Sequence, residues 1–135
     1  MSFSDFDEWN RQKKLLDVRQ NAPHCKRGEV WLCNIGRNVG YEMGGSVENV
    51  FTRLVLVIKV MSENTFWGLP ITSANKDGRK DNHPLYYEIE GTPEILGFVA
   101  LSQFRLFDTK RLIRLKVRLD KKIVDNAIKR LKELL

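Results

Sequence analysis

The feature that most constrains this chain is a change of hydrophobic period at Glu29. Ahead of it, residues 4–20 carry apolar side chains at helical spacing. After it, apolar residues fall in short runs rich in β-branched and aromatic types, which fit a pleated surface. The runs are Glu29–Ile35, Arg53–Val60, Thr65–Ile71, Pro84–Ile89 and Gly97–Leu106, with Leu112–Leu119 as a further short one. At Asp120, a cap residue, the helical period returns. Ile123, Val124, Ala127, Ile128, Leu131, Leu134 and Leu135 form one stripe, and Lys121, Lys122, Lys129, Arg130 and Lys132 the opposite face. The pattern predicts a mainly β, α+β fold. It reads as a small β-barrel or a strongly bent sheet, partly covered by helices.

The early helix has Ser4 as its expected cap, Asp5, Asp7 and Glu8 at its positive end, and Phe6, Trp9, Leu15 and Leu16 as apolar contacts. It reads as an accessory helix within 1–23, joined to one β-rich domain over 24–135. A chain of 135 residues fits a single domain of this kind. MSFSDFDEWN lacks the basic and apolar regions of a signal peptide, and no run approaches the roughly 18 apolar residues of a spanning helix. Cys25 and Cys33 are too few for a disulfide framework. These features predict a cytoplasmic protein without a membrane partner.

Charge is uneven. Residues 1–100 hold 12 Lys+Arg and 13 Asp+Glu, whereas 101–135 hold 11 and 4. The tail therefore carries the whole net charge of +6. That polarity fits a polyanionic partner, and a solvated basic face gives the same arithmetic.

Two connections stand out. Gly36–Thr52 contains four glycines and no strand pattern, and reads as a flap; Ser73–His83 is a polar, partly basic excursion. Neither His24 nor His83, the only histidines, lies in an HxH, HExxH or DxD grouping, so no metal site and no cofactor is expected. There is no GxSxG elbow, and Gly40-x-x-x-Gly44 lacks the Lys-Ser/Thr of a phosphate loop. Cys33 alternates with Trp31 and reads as a packed residue.

The Arg53–Val60 and Thr65–Ile71 runs form a candidate hairpin. With Met61–Asn64 as a four-residue turn, Val60 pairs with Thr65, and counting back puts Arg53 opposite Thr72. Opposed residues of an antiparallel pair share a face, with Cβ atoms about 4.5–5.5 Å apart. One hairpin end then holds a guanidinium beside a hydroxyl, with Ser73 next in line and the flap running into it. A planar fork of donors and a hydroxyl suit a phosphoryl group. The same pair also fits an exposed strand-end arginine beside a turn threonine.

Lys26-Arg27-Gly28-Glu29-Val30-Trp31, Gly40-Tyr41-Glu42, Arg53-Leu54-Val55-Leu56-Val57, Ile71-Thr72-Ser73, Gln103-Phe104-Arg105 and Lys110-Arg111-Leu112 occur in order. Together they resemble the MazF/PemK (Kid) family of toxin endoribonucleases from toxin–antitoxin pairs, over about 26–135. The resemblance implies a compact SH3-like β-barrel, a homodimer, and cleavage of single-stranded RNA (mRNA) without metal. The matched catalytic positions are Arg53 and Thr72, with Glu42 as the candidate general base. Glu42 and Gln103 also match RNA-contacting positions, Ser73 adjoins them, Tyr41 is a candidate for base stacking, and Arg105 belongs to the basic surface. Where the family has proline after the arginine, this chain has Leu54, and its stretch from Gly45 to Arg53 is longer.

The implied step is attack of a ribose 2′-hydroxyl on its own phosphate, leaving a 2′,3′-cyclic phosphate and a 5′-hydroxyl. The implied partners are RNA, a cognate antitoxin with an acidic disordered segment, and operator DNA through the antitoxin complex. A non-catalytic toxin of the same fold that binds a protein such as DNA gyrase, and a plain nucleic-acid-binding module, are the alternatives.

Overall fold

Val55, Leu56, Val57 and Ile58 form an unbroken apolar run, which a strand can bury only if both of its faces are covered. In a computed structural model of the chain both are. It describes residues 3–36, 38, 43–45, 51–73, 80 and 83–135. Strand β2 (Thr52–Val60) sends Leu56 and Ile58 into a large core with Val30, Leu69, Ile71, Val99 and Leu101. It sends Val55 and Val57 into a second core with Trp31, Cys33, Phe66, Phe107 and Leu112. The alternation of a strand thus divides one apolar run between two cores.

The other elements are α1 (Phe3–Asp17), β1 (Glu29–Asn34), β3 (Thr65–Thr72), β4 (Tyr86–Glu88), β5 (Phe98–Ala100), β6 (Arg105–Asp108), β7 (Leu112–Arg118) and α2 (Lys121–Leu134). All strand pairs are antiparallel, in the order β4-β5-β3-β2-β1-β7, with β6 also on β3. Strand β3 splits its outer edge: Thr65–Gly68 pair with β6, and Ile71–Thr72 with β5. That division corrects the single strand expected over Gly97–Leu106. Two partners on one edge need a step between them, which the 3₁₀ turn Leu101–Gln103 provides while burying Leu101.

Of the two expected forms, small barrel or strongly bent sheet, the barrel is not formed, because the sheet does not close. Among the described residues β7 pairs only with β1, and the seam between β6 and β7 is crossed by the turn Thr109–Arg111. The Asp108 carboxylate accepts from Lys110 N at 2.8 Å and fixes that turn. The result is the strongly bent sheet.

Helix α2 lays Val124, Ala127 and Leu131 on the large core. Asp120 occupies its cap position, but its side chain makes no capping hydrogen bond. Helix α1 begins at Phe3, ahead of the expected cap Ser4. Among the described residues no helix is long and apolar enough to cross a membrane.

Both cysteines are buried free thiols, and Cys33 Sγ donates to the Trp31 carbonyl at 3.6 Å. Burial, aided by the charge of Glu29, pushes Cys25 up to about 11 from its ordinary 9.0; burial pushes Cys33 higher still. At pH 8 the Cys25 thiolate fraction is then about 0.1%, roughly a hundredth of an ordinary thiol's. A disulfide-exchange reagent such as Ellman's is therefore expected to label the native protein at least tenfold more slowly than the unfolded chain. Equal rates would contradict this burial.

Candidate active site

The two residues that the sequence count brings together lie on β2 and β3, just beyond the last pair of their ladder. Val60 pairs with Phe66 rather than Thr65, and Met61 N and Ser62 N both donate to the Thr65 carbonyl. The turn is one residue tighter than expected. A bulge at Ile58 then restores the register, so that Val57 faces Gly68 and Val55 faces Pro70. Carried two residues further, this register sets Arg53 level with Thr72.

The ladder itself ends at Val55–Pro70, and beyond it the Arg53 side chain takes over. Its Nη1 donates to the Ile71 carbonyl at 3.2 Å, next to Thr72. Nε and Nη2 donate to the carbonyls of Gly44 and Gly45 at 2.7 and 2.8 Å. Arg53 is half-buried, and burial pulls its pKa below the ordinary value. A guanidinium starts so far above neutrality that it remains a cation. Thr72 is buried, and its Oγ1 lies 3.4 Å from Lys80 Nζ. Ser73, next to it, is exposed.

Met43–Gly45 links this point to a second group of residues. While Gly44 and Gly45 receive Arg53, Met43 N donates to Gln103 Oε1 at 3.0 Å, and the Met43 carbonyl accepts from Asn38 Nδ2 at 2.8 Å. Gln103 and Arg105 line a cleft of about 350 Å³ with Asn38, Met43, Pro70, Ser102 and Phe104. Phe104 stacks on Trp67 at 4.6 Å, and the Arg105 guanidinium lies 4.6 Å from the Phe107 ring centre. Of the sequence-predicted residues, Arg53, Gln103 and Arg105 meet around Met43–Gly45, while Thr72 and Ser73 follow Ile71, whose carbonyl Arg53 also reaches. Tyr41 and Glu42 lie outside the described residues. Lys80 was not singled out by sequence; its only signal is its place in the basic excursion before His83.

The basic tail is less available than its charge suggests. Arg111 Nη1 donates to the Asn34 carbonyl, Lys110 Nζ to the Asp17 carbonyl, and Arg118 pairs with Glu29 at 2.9 Å. Arg114 and Lys116 on β7 are exposed. Among the described residues no group of three or more His, Cys, Asp or Glu side chains is placed to hold a metal ion.

One family model matches residues 26–135: the PemK-like, MazF-like toxin of type II toxin–antitoxin systems. No curated protein sequence matches the chain with significance. Among solved structures, MazF from Deinococcus radiodurans is similar with a TM-score of 0.65 and 19% identity, covering 85% of this chain and 97% of that one. A MazE–MazF complex from the same organism gives 0.59 and 16%, covering 85% and 96%. An endoribonuclease in complex with its cognate antitoxin, from a mycobacterial species, gives 0.58 and 14%, covering 83% and 93%.

Proposed function

The chain belongs to the PemK-like, MazF-like toxin family of type II toxin–antitoxin systems, and from that premise we propose that it is a metal-independent endoribonuclease. Its substrate is single-stranded RNA. The observation that carries this reading is the Arg53 fork, held by three carbonyls, one of them that of Ile71, next in the chain to the buried Thr72.

A phosphate oxygen is a stronger acceptor than a carbonyl for a charged donor. A bound phosphodiester therefore takes over the positions of the Gly44 and Gly45 carbonyls on Arg53. The 2′-hydroxyl attacks the adjacent phosphorus, and a 2′-O–P bond forms as the P–O5′ bond breaks. The 2′ proton passes to a base, for which Glu42 is the candidate from the sequence, and the departing 5′-oxygen takes a proton from water. Arg53 stabilises the charge that builds on the phosphoryl oxygens. Thr72, with the Lys80 ammonium beside it, holds the phosphate or the leaving oxygen. Only RNA has the attacking hydroxyl, so DNA is spared.

Gln103, Ser73, Arg105 and, from the sequence, Tyr41 serve as RNA contacts around the cleft. A homodimer in the cytoplasm, neutralised by an acidic antitoxin segment that folds onto the basic surface, completes the reading. Operator DNA is then bound through the antitoxin complex.

The test is to incubate the purified chain in EDTA with RNA and DNA strands of matched sequences. Cutting of RNA alone supports the reading. RNA left intact across many sequences overturns it in favour of a toxin that binds a protein target. Within the site, Thr72→Val is expected to slow cleavage about 100-fold while changing stability by less than about 1 kcal/mol, because it removes one hydroxyl at nearly constant volume. Single-turnover rates and thermal melting check it; an unchanged rate removes Thr72 from the reaction.

A further inference from the structure

Helix α1 lies outside the family match, which begins at residue 26. Two of its apolar side chains do not explain why it docks, since Phe6 and Leu15 are exposed, and Leu16 is only half-buried. Among the described apolar side chains of α1, Trp9 alone is buried, at 4% exposure. We propose that Trp9 is a positioning residue for Arg53, and that α1 thereby sets the geometry of the site; the inference rests on the endoribonuclease reading.

The argument follows a chain of contacts. The Trp9 indole occupies the space that a side chain at residue 36 would need, which Gly36 leaves open at φ +83°. It also stacks on Phe51, with ring centres 5.6 Å apart. Gly36 and Phe51 are themselves joined, since Ile35 N and Gly36 N both donate to the Phe51 carbonyl at 2.9 Å. The Gly36 carbonyl in turn accepts from Gly45 N at 2.8 Å. Gly45 and Gly44 then supply two of the three carbonyls that hold the Arg53 fork.

From the indole to the guanidinium there are thus three contacts, through Gly36 and Gly45. Phe51 adds a second route, because it lies two residues before Arg53 on the same chain segment. The indole is itself held by the Arg111 guanidinium, 5.8 Å from its ring centre, while Arg111 Nη1 is anchored on the Asn34 carbonyl at 3.0 Å. A wedge enclosed on several sides fixes what it touches more firmly than one that is free to hop.

A catalytic fork gains from being held before substrate arrives, and a misplacement of about 1 Å can cost up to 100-fold in rate. Trp9 contacts no reacting atom in this scheme. Its effect should therefore fall on kcat and leave the binding of RNA largely alone.

The experiment compares Trp9→Ala, Trp9→Phe and, as a control on the same helix, Leu15→Ala in the full chain. Trp9→Ala is expected to lower kcat at least tenfold with KM within about twofold. Trp9→Phe, which can still stack on Phe51, is expected to recover most of that loss, and Leu15→Ala to behave as wild type. All rates are taken well below each variant's melting temperature, so a purely structural anchor would shift melting and leave kcat unchanged.

A second arm uses no RNA. Nuclear magnetic resonance follows solvent exchange of the Gly36 and Gly45 amides and the Arg53 Nε–H. All three are expected to exchange at least tenfold faster in Trp9→Ala, with the amide of Val57 unchanged. If wild type cuts no RNA, the endoribonuclease reading falls, and the exchange data alone decide whether Trp9 positions Arg53. Unchanged exchange at Arg53 Nε–H in a folded Trp9→Ala variant overturns the proposal.

Discussion

Replacing Arg53 by alanine is expected to lower kcat for RNA cleavage by about 100- to 1,000-fold, the range found when a preorganised charge-stabilising donor is removed. The size follows from geometry. The guanidinium is half-buried, so its charge is less screened than at the surface, and three carbonyls aim its fork. RNA binding should survive in large part, because exposed cations such as Arg114 and Lys116 lie elsewhere, on β7. Arg53→Lys keeps the charge and loses the planar fork, so it is expected to recover only part of the rate. Single-turnover cleavage alongside binding to a non-cleavable 2′-deoxy analogue separates the two effects. Loss of binding in step with cleavage would assign Arg53 to affinity alone.

The second large effect concerns stability. The Glu29 carboxylate, with its side chain only 8% exposed, accepts from Lys26 N at 2.6 Å, Trp31 Nε1 at 3.1 Å and Arg118 Nη2 at 2.9 Å. Burial alone would raise its pKa. The hydrogen bonds from Arg118, Trp31 and Lys26 outweigh burial and hold it below the ordinary 4.5. Glu29→Ala leaves the buried Trp31 Nε1–H and the partly buried Lys26 N–H without this partner and unpairs Arg118, a loss of about 3 kcal/mol. For a chain of this length that is a fall of roughly 10 °C in melting temperature.

The pH dependence has a definite sign. A carboxyl whose pKa is lower folded than unfolded contributes its stability above the unfolded value, and loses it as pH falls through the folded one. Wild type is therefore expected to lose stability as pH falls below about 4.5, and Glu29→Ala to lose less over that range. Denaturant midpoints between pH 6 and pH 3 check this. Parallel curves for the two proteins would remove Glu29 as the source.

Glu29 also shows what the sequence makes legible and what it hides. Lys26, Glu29 and Trp31 stand out in the sequence as parts of a motif, and the structure gives that motif a structural role, as a buried carboxylate tying the start of β1 to the end of β7. The strands themselves follow from local pattern, because β-branched and aromatic runs with turn residues between them have few alternatives. The register counted from sequence agrees with the observed pairs Val57–Gly68 and Val55–Pro70 only because two departures cancel, a shorter turn and the bulge at Ile58. Neither leaves a mark in residue types. The break at Leu101–Gln103 was hidden for a similar reason: a strand-like run says nothing about how many partners share one edge.

Long-range choices were the least legible. Nothing local to Arg111 tells that its guanidinium turns inward to Asn34 instead of outward to a polyanion. Trp9 reads as one apolar contact among four on its helix, yet it alone among Phe6, Trp9 and Leu15 is buried. Its partner surface, Gly36 and Phe51, is assembled only when the two ends of a long connection meet.

The central claim is that Arg53 and its neighbours promote attack by a ribose hydroxyl on the adjacent phosphate. The most direct measurement is the chemistry of the product ends when purified wild-type protein cuts single-stranded RNA in EDTA, with and without one 2′-deoxy substitution at the cleaved linkage. The account predicts a 2′,3′-cyclic phosphate, a 5′-hydroxyl, and no cleavage at the substituted linkage. Products bearing a 5′-phosphate and a 3′-hydroxyl, or cleavage that persists at the deoxy linkage, would contradict it.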